Sequence, residues 1–387
     1  MRILQTIPDL NASSGGTATC TYDLLSAIRE EVDSVELLTL DIKKGGQNAL
    51  GSGEYWINRI PNDAKTTLSI SNNLKSALKN SDYDLYHTNG LWLYCNHITC
   101  SIARKKKRPY IITPHGMLYP NALNRSYWKK WPLLKLWFEK DIKEASCMHA
   151  TCKQEMEHIH NFGYNGPIAV IPNLIHVIPE TKSLFNKKKE KIISKDCPII
   201  FGFLGRLHPI KKIENILYGA ALLNKSISFQ ISILGKGDNE YEAFLRKEVD
   251  KLNLNEKVYF KGFINGLDKF NELANLTALF VPSDSENFGM SVVEALSVGT
   301  PVMASLGTPW EDLNDYQCGW WVERSPENIA TIMSEIIHTP SNELIAMGER
   351  GIQLVNKKYA ADKIAKQMLQ LYSWILNGGE KPNFVYD

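Results

Sequence analysis

The chain has 387 residues, a length that predicts two to three domains, with two favoured. A hydrophobic fraction of 44% and a charged fraction of 22% are typical of globular proteins, so the composition excludes collagen-like, disordered and disulfide-stapled classes. The 44 basic and 42 acidic side chains leave a net charge of +2, which excludes a nucleic-acid binder that relies on a global basic field. Any basic surface must therefore be local.

Neither a membrane span nor a metal site is predicted. The chain holds no run of about eighteen apolar residues, and its first five residues contain no apolar signal core. Its seven cysteines include no Cys-x-x-Cys pair and are typical of cytoplasmic thiols. Cys95, His97 and Cys100 come nearest to a metal cluster. They lack a second ligand pair at zinc spacing, so we predict packed thiols on a helix.

Short apolar runs alternate with helix-length segments through the first half of the chain. The runs predict strands, and residues 16–30 have the periodicity of a helix. Strands separated by helices require crossover connections, and hence a parallel sheet that is covered on both faces. The predicted strands of this open α/β domain are 3–7, 35–40, 85–87, 110–113, 147–150 and 168–171.

The same alternation resumes after a polar segment, 173–197, which contains the lysine-rich run 187–191 and is predicted to be an exposed linker. The strands predicted beyond it are 199–204, 229–234, 257–260, 278–281 and 301–304, and the helices lie near 211–224, 239–251 and 289–298. The expected parts are an N-terminal Rossmann-like domain (1–172), the linker, a second Rossmann-like domain (198–355) and a C-terminal helix (356–387) that returns to the first domain. We expect two doubly wound α/β domains that face each other across a ligand-binding cleft.

Three segments carry groups suited to a diphosphate, and the first is 13–17. Gly15 and Gly16 follow the first predicted strand and open a helix, where backbone N–H groups can approach an anion. The dinucleotide fingerprint Gly-x-Gly-x-x-Gly is absent, so NAD is not indicated. A tight turn explains such a glycine pair equally well.

The second segment, 205–212, follows the first strand of the second domain. Arg206 offers a planar fork and Lys211 a point charge. Both suit phosphate oxygens that bind beyond the carboxyl end of a parallel strand. A solvated basic turn has the same composition, so the local sequence leaves both interpretations open.

The third segment, 282–296, enters a helix near Gly289. Glu286 precedes this helix and Glu294 lies about one turn inside it, so both carboxylates can face the strand ends. Their spacing alone is uninformative, because other glutamate pairs in the chain repeat it. The context is informative, since acceptors at these points suit sugar hydroxyls and the N–H groups of a helix start suit phosphate.

Taken together, these segments resemble the retaining GT-B glycosyltransferases of family 4, over nearly the whole chain. The motifs stand in the family's order: the glycine pair Gly15-Gly16, the His-Gly segment at His115, the phosphate clamp of Gly205-Arg206 and Lys211, the E-x7-E signature from Glu286 to Glu294, and the segment 299–302. One departure is Lys212, which stands where the family usually has glycine. It puts the local loop geometry in doubt.

The resemblance implies transfer of a sugar from a nucleotide diphosphate sugar with retention of the anomeric configuration. It implies that Arg206 and Lys211 neutralise the diphosphate, that Glu294 binds the ribose and that Glu286 binds the donor sugar. His115 is expected to act beside that sugar, the alternative being a histidine bonded within its own loop. The other donor-binding residues that the resemblance implies are Gly16, Gly262, Phe263, Asn287, Phe288, Gly289 and Met290.

No resident cofactor, metal ion or nucleophilic carboxylate is expected. A departing diphosphate must be stabilised while an oxocarbenium-like centre develops, and preorganised cations can do this. The resemblance suggests a front-face mechanism in which donor phosphate takes the acceptor's proton. A UDP-sugar is the favoured donor and a GDP-sugar the second choice. Acceptor binding is expected in the first domain, around His87, Asn89 and Trp92.

A fourth feature bears on location. Residues 104–108 are five consecutive basic residues, and 125–143 combines six basic side chains with five aromatic ones. The residues that share one face at helical spacing are Trp131, Leu134, Phe138 and Ile142. Pro132 favours a helix that starts there. This pattern fits an anionic membrane surface and packing on the protein's own sheet equally well.

The membrane interpretation predicts peripheral contact at the inner face of the plasma membrane and a lipid-linked acceptor, as in bacterial capsule, exopolysaccharide or lipopolysaccharide synthesis. Two other functions remain open. A sugar-nucleotide epimerase of GT-B-like fold would need acid and base groups poised at the sugar, and a catalytically silent protein would bind the donor without transferring it. Nucleic acid is not an expected partner.

Overall fold

The computed structural model describes residues 1–11, 16–41, 50–125, 127–194, 198–224 and 226–387. Gly15 of the glycine pair and residues 195–197 of the predicted linker lie outside these ranges. The strands are β1 (Arg2–Ile7), β2 (Ser34–Leu40), β3 (Ile57–Ile60), β4 (Leu85–Asn89), β5 (Tyr110–Thr113), β6 (Cys147–Ala150), β7 (Ile168–Val170), β8 (Ile199–Leu204), β9 (Phe229–Leu234), β10 (Val258–Gly262), β11 (Ala278–Val281), β12 (Val302–Ser305), β13 (Gly319–Val322) and β14 (Val385–Tyr386).

The α-helices complete the list of elements. In chain order they are α1 (Gly16–Ile28), α2 (Asn72–Asn80), α3 (Tyr94–Lys105), α4 (Pro120–Asn124), α5 (Tyr127–Leu133), α6 (Glu139–Lys143), α7 (Lys153–Asn161), α8 (Thr181–Ser194), α9 (Ile213–Ala221), α10 (Asn239–Lys251), α11 (Gly266–Asn275), α12 (Met290–Ser297), α13 (Asp312–Asp315), α14 (Pro326–His338), α15 (Ser341–Leu354) and α16 (Ala361–Asn377).

The described chain forms two compact units, and unit 1 comprises Met1–Leu174 together with Ala361–Asp387. Its sheet has the order β14-β7-β6-β5-β4-β1-β2-β3, in which β14 alone pairs antiparallel. Successive residues of β1 belong to opposite cores, because side chains alternate along a strand. Ile3 packs in the core that contains α1 and α16, whereas Leu4 packs in the core that contains α3. Burial on both faces is the reason that this strand carries apolar residues on both faces.

Unit 2 comprises Ile175–Ala360 and contains a parallel sheet of order β10-β9-β8-β11-β12-β13. Strand order runs outward in one direction from β8 and in the other from β11, so the topological switch point lies between these two strands. Ligands of open α/β sheets bind beyond the carboxyl ends of the strands at such a point. The loops that follow β8, β9, β10 and β11 therefore meet at one edge of unit 2.

The strands predicted from apolar runs are confirmed, and no predicted end differs from the observed one by more than two residues. Three strands were not predicted: β3, β13 and β14. The predicted exposed linker is wrong for most of its length, because α8 occupies Thr181–Ser194. Phe185 and Lys188 of this helix are buried in unit 2, which explains why a lysine-rich run is ordered there.

The prediction that a helix starts at Pro132 in the basic aromatic segment is wrong. Helix α5 begins at Tyr127 and contains Pro132, and a π-helical turn, Leu134–Phe138, joins it to α6. Pro132 removes one N–H donor from the helix, and the irregular turn follows it directly. Phe138 and Ile142 are buried in the core of unit 1, so packing explains this part of the predicted apolar face.

Within the described ranges, every helix is too short or too polar to cross a bilayer.

Candidate functional site

An ion pair joins two of the loops at the carboxyl edge of the unit 2 sheet. Lys211, in the loop after β8, donates through Nζ to Oε1 of Glu286, in the loop after β11. The backbone links the same loops, because Asp284 N donates to the Ile210 carbonyl over 2.8 Å. Ser283 Oγ donates to the same Glu286 oxygen at 2.8 Å. The predicted phosphate clamp and the predicted sugar-binding carboxylate are thus in direct contact.

The local geometry of the first loop explains the position of Lys211. Residues Pro209–Lys211 form one turn of 3₁₀ helix, and Lys212 then adopts φ 51° and ψ 41° as the N-cap of α9. This left-handed conformation suits glycine. It is the structural reason for a glycine preference at this position, and here a lysine adopts it. Lys212 Nζ lies 3.5 Å from an Asp284 carboxylate oxygen.

Arg206 lies exposed in the same loop, beside the turn that follows β9. Leu207 N donates to the Lys236 carbonyl at 3.1 Å, so the two turns run side by side. A Cβ on Gly235 would lie 1.8 Å from the Gly205 carbonyl oxygen, hence only glycine permits this approach. Lys236, which this pairing places next to Arg206, was not predicted as a site residue. The Gly-Lys-Gly run after a predicted strand was the available signal.

The segment from Glu286 to Met290 is held from beneath by buried aromatic rings. Gly289 has φ 87° and caps α12, and a Cβ there would lie 3.2 Å from Trp310 Nε1. Trp310 Nε1 donates to the Phe288 carbonyl, and the rings of Phe288, Trp310 and Tyr359 have centroids 5.2 to 5.6 Å apart. The side chain of Phe288 is therefore a packing element, and only the backbone of this residue remains available to a ligand.

The second carboxylate of the signature also has a lysine partner. Lys269 Nζ of α11 lies 2.7 Å from Glu294 Oε1 of α12, and both side chains are largely buried. Lys269 was missed by the sequence analysis, because no spacing relates it to Glu294. Asp284 and Arg324 were missed for the same reason, and their carboxylate oxygen and Nε lie 2.8 Å apart.

The loop after β10 completes this edge. Gly235 N donates to the Gly262 carbonyl at 2.7 Å, which brings the β9 and β10 turns together. Phe263 follows directly and leaves 62% of its side chain exposed. An exposed aromatic ring beside a set of cations and backbone amides is suited to a planar base. The edge of unit 2 therefore offers cations, carboxylates, helix-start amides and one exposed ring.

In unit 1 the residues predicted for acceptor binding lie inside the fold. His87 has no exposed surface, and its two ring nitrogens lie 2.8 Å from Tyr372 Oη and 2.6 Å from Thr113 Oγ1. Asn89 is 3% exposed. The structure therefore places neither side chain where an acceptor could reach it. Trp92 is partly buried, and its ring packs on Phe138 with centroids 5.5 Å apart.

His115 and Gly16 are more accessible. His115 follows β5 with φ 51°, and its Nε2 lies 3.1 Å from Asn89 Oδ1. Withdrawal from water, with a contribution from His149, lowers the pKa of His115 to about 3, so the ring is neutral at physiological pH. Gly16 is the first residue of α1, and nothing in the described structure lies within 4 Å of where a Cβ would stand.

The weak metal-cluster candidate is explained by packing. Cys95 and Cys100 of α3 are buried in the core of unit 1. His97 has its Nδ1 at 2.8 Å from Asp141 Oδ2, and its ring stacks on Trp137 with centroids 4.8 Å apart.

Each half of the chain matches a known protein family, and the fold matches solved structures. Residues 14–177 match the family described as Glycosyltransferase Family 4, and residues 185–370 match the family described as Glycosyl transferases group 1. HepE of Anabaena, whose structure was solved in complex with UDP and glucose, has a TM-score of 0.77 at 18% identity, covering 96% of this chain and 99% of that one.

Two relatives are similar in sequence. The O-antigen biosynthesis glycosyltransferase WclY of Escherichia coli is 23% identical over 322 residues, which cover 81% of this chain and 84% of the relative. The uncharacterized glycosyltransferase MJ1607 of Methanocaldococcus jannaschii is 30% identical over 175 residues, which cover 44% of this chain and 43% of that protein. The chain thus spans less than half the length of MJ1607 in the match and most of WclY.

The two α/β units and the fold that they share with HepE define the class of protein, which is the GT-B fold. The predicted fold class is confirmed. With a family 4 domain in its first half and a group 1 domain in its second, the chain is a group 1 glycosyltransferase.

Proposed function

We propose that this chain transfers a hexosyl unit from a nucleotide diphosphate sugar, with a UDP-sugar as the preferred donor, to a glycan or a lipid-linked acceptor, with retention of the anomeric configuration. The observation that carries the proposal is the contact between Lys211 and Glu286 at the carboxyl edge of unit 2. It brings the ammonium group of Lys211 and the carboxylate of Glu286 to one point, in the loop that contains Arg206 and the loop that leads into α12.

In this proposal each group has a physical task. Arg206 and Lys211 stabilise negative charge on the departing diphosphate, and they take the place of a divalent cation. The N–H groups at the start of α12 add the positive end of a helix dipole. Glu286 accepts hydrogen bonds from the donor sugar, and Glu294 accepts them from the ribose. Phe263 packs beside the base.

The choice of a UDP-sugar and of a surface polysaccharide has separate support. HepE, which shares the fold, binds UDP and glucose in its crystal structure. WclY acts in O-antigen biosynthesis. We propose the same class of process for this chain, with unit 1 binding the acceptor and His115 as a further catalytic group.

The test is a thermal-shift screen of the intact chain with UDP, GDP, ADP and their hexose conjugates, in the presence of a chelator. A ligand at a hundred times its dissociation constant stabilises the folded state by about 2.7 kcal/mol. We expect the largest shift with UDP compounds, and loss of that shift in Arg206→Ala. Lys251→Ala is the matched control, because Lys251 pairs with Glu248 on α10, away from the sheet edge. No shift with any nucleotide, or a shift that requires a metal ion, contradicts the proposal.

We also propose that α5 and the turn after it contact an anionic membrane. Phe138 and Ile142 face the core, but three apolar side chains of the same segment face solvent: Trp128 is 86% exposed, Trp131 50% and Leu136 74%. The exposed Lys129, Lys135 and Lys140 lie among them. Interfacial aromatics with neighbouring lysines suit the headgroup layer of an anionic bilayer.

Co-sedimentation with phosphatidylglycerol vesicles tests this contact. The variant Trp128→Ser/Trp131→Ser/Leu136→Ser should lose vesicle binding, whereas Tyr55→Ser/Leu222→Ser, which removes exposed apolar side chains elsewhere, should keep it. Equal binding by both variants would leave the segment without a membrane role.

A further inference from the structure

A chain of hydrogen bonds leads from His115 into the buried interior of unit 1. His115 Nε2 lies 3.1 Å from Asn89 Oδ1, and Asn89 Nδ2 donates to Gln5 Oε1 over 2.8 Å. Gln5 Nε2 donates to the hydroxyl of Tyr372, a residue of α16, over 2.8 Å. The side chains of Asn89, Gln5 and Tyr372 are buried, so these contacts are not shared with bulk water.

The series of hydrogen bonds continues from Tyr372 across the sheet. Its hydroxyl lies 2.8 Å from His87 Nδ1, and His87 Nε2 lies 2.6 Å from Thr113 Oγ1. Thr113 Oγ1 lies 2.8 Å from His149 Nδ1, and His149 Nε2 lies 2.8 Å from the carbonyl oxygen of Ile171. The three side chains between Tyr372 and Ile171 are at most 4% exposed.

The carbonyl of Ile171, at the last hydrogen bond of the series, determines which atom donates in each bond between Tyr372 and Ile171. A carbonyl oxygen only accepts, so His149 Nε2 must carry a proton. A neutral imidazole carries one ring proton, hence His149 Nδ1 accepts from the Thr113 hydroxyl. That hydroxyl donates its single proton to His149, so it must accept the hydrogen bond from His87 Nε2. By the same argument His87 Nδ1 accepts from Tyr372.

Neutrality of the rings, which this argument needs, follows from their burial. Desolvation lowers the pKa of His149 to about 4 and holds the pKa of His87 well below its usual range, where the neighbouring His149 and His115 also act. Charged imidazoles here would be donors at both nitrogens and would leave the Tyr372 and Thr113 hydroxyls in conflict.

The contacts of Asn89, beside His115, give the same direction of donation independently. Asn89 Nδ2 also lies 3.4 Å from the carbonyl oxygen of Thr6, which only accepts. The Asn89 amide therefore turns its NH₂ group towards Gln5 and Thr6 and its oxygen towards His115. An amide oxygen only accepts, so His115 Nε2 must donate to it. Both ends agree that every bond of the chain points away from His115.

We propose that this one-way chain holds His115 as the neutral Nε2–H tautomer, with Gln5 and Tyr372 as positioning residues, so that His115 Nδ1 is kept as an acceptor for a ligand hydroxyl. Within the described part of the chain, no hydrogen bond engages this Nδ1. A phosphate oxygen is also an acceptor and cannot form a hydrogen bond with this Nδ1, whereas a hydroxyl can donate to it. That the hydroxyl belongs to a sugar rests on the proposed function; the tautomer does not.

Imidazole nitrogen spectra of the intact, ¹⁵N-histidine-labelled protein test the tautomer directly. The chain has nine histidines, and single His→Gln variants assign the signals. We expect His115, His87 and His149 to show a protonated Nε2 and an unprotonated Nδ1 between pH 6 and 8. An Nδ1–H tautomer or a charged ring at any of the three overturns the proposal.

A matched pair of variants tests the positioning role. Tyr372→Phe removes one hydroxyl from the chain, and Tyr164→Phe removes a buried hydroxyl that donates to the Ala145 carbonyl elsewhere in unit 1. We expect Tyr372→Phe alone to shift the His115 and His87 ring signals and to lower the rate of UDP release from UDP-glucose by about tenfold, because small misplacements of a reacting group are costly. The KM for the donor should stay near that of the wild type.

Asn89→Leu serves as a second variant if Tyr372→Phe fails to fold. It should release the His115 ring proton to fast exchange with water while His87 and His149 keep their spectra. Unchanged His115 signals in both variants overturn the positioning role. Failure of the protein to bind UDP-glucose would instead overturn the proposed function and leave the tautomer result standing.

Discussion

Lys211 and Glu286 stand 75 residues apart in the chain, and their side chains form an ion pair at the switch point of the unit 2 sheet. The pair keeps a cation and a carboxylate at one point before any ligand arrives. A preorganised cation needs no reorganisation when charge develops on a leaving group, which is the usual source of its catalytic effect.

Removal of this cation should slow the reaction strongly. We expect Lys211→Ala to lower the rate of UDP release from UDP-glucose by about 10²–10³-fold, the range for loss of one preorganised group. Steady-state kinetics in the presence of a chelator measure it. Lys251→Ala, which breaks a partly exposed pair on α10, is the control and should retain the wild-type rate. A wild-type rate in Lys211→Ala would exclude its role at the diphosphate.

Glu294 should bind the ribose of the donor. Hydrogen bonds to a charged acceptor are worth about 1.5–3 kcal/mol, so Glu294→Gln should weaken UDP binding by about tenfold or more. The sharper measurement is calorimetry with UDP and with its 2′,3′-dideoxy analogue. The wild type should prefer UDP, and the variant should bind both alike. Glu272→Gln, at a carboxylate 3.9 Å from Lys261, is the control. A persistent preference for UDP in Glu294→Gln would assign the ribose to another residue.

The left-handed conformation of Lys212 should make glycine the better small residue there. In the left-handed region a side chain costs about 1–2 kcal/mol relative to glycine. Both Lys212→Gly and Lys212→Ala lose the contact with Asp284, so their difference isolates the backbone cost. We expect Lys212→Gly to unfold at higher urea concentration than Lys212→Ala. The order should reverse at Lys247, an exposed position in the interior of helix α10, where glycine costs about 0.5–1 kcal/mol relative to alanine.

The buried histidines should make the protein sensitive to acid. Burial lowers the pKa of His115 to about 3 and that of His149 to about 4, from 6.5 in the unfolded chain, and the pKa of His87 is also lowered. The unfolded chain therefore binds more protons below pH 6.5, and the free energy of unfolding falls as the pH drops from 6.5 towards 4. Each histidine contributes about 1.4 kcal/mol per pH unit in that window.

Urea unfolding at pH 7, 6 and 5 measures this slope. His149→Gln should reduce it by the share of one proton, whereas His338→Gln, at an exposed position, should leave it unchanged. A slope in His149→Gln equal to that of the wild type would mean that His149 is protonated in the folded state.

Lys188 should make the stability of the fold depend on pH in the alkaline range. Its Nζ donates to the Leu276 carbonyl and to Thr300 Oγ1, both at 2.6 Å, and burial lowers its pKa from 10.5 to about 7. The unfolded chain then binds one more proton between pH 7 and 10.5, so this residue makes the wild type more stable as the pH rises through that window.

Lys188→Met removes the titrating group and nearly preserves the volume. Relative to the wild type, the variant should lose stability as the pH is raised from 7 to 9, by about 1.4 kcal/mol per pH unit. Chemical unfolding at pH 7, 8 and 9 measures the difference. A difference that does not depend on pH would show that Lys188 stays charged in the fold.

Much of the architecture could be predicted from local patterns. A strand that is buried on both faces is mostly apolar, and β8 and β11 are continuous apolar runs, while β9 is interrupted by Gln230 and Ser232. The strands that were not predicted lie at sheet edges. There β3 is interrupted by the polar residues Asn58 and Arg59, and β14 has only two residues, so neither leaves a continuous apolar run.

The residues of the candidate site divide in the same way. Arg206, Lys211 and Glu286 could be predicted because they lie in loops that follow strand ends located by the pattern, and Glu294 because it lies in the helix that one of these loops enters. Their partner Lys269 could not, since the contact with Glu294 depends on how α11 packs beside α12.

By itself, the sequence determined the two sheets, the edge of the unit 2 sheet at which its loops meet and the charges that those loops carry, because these follow from hydrophobic periodicity and from residues close together in the chain. Only the tertiary structure decided which of the predicted polar side chains are buried and bonded within the fold. His87 and Asn89 were predicted to face an acceptor, yet they are buried and bonded to Tyr372 and Gln5. A buried polar group must find a partner, and those partners come from strands and a helix that only folding brings together.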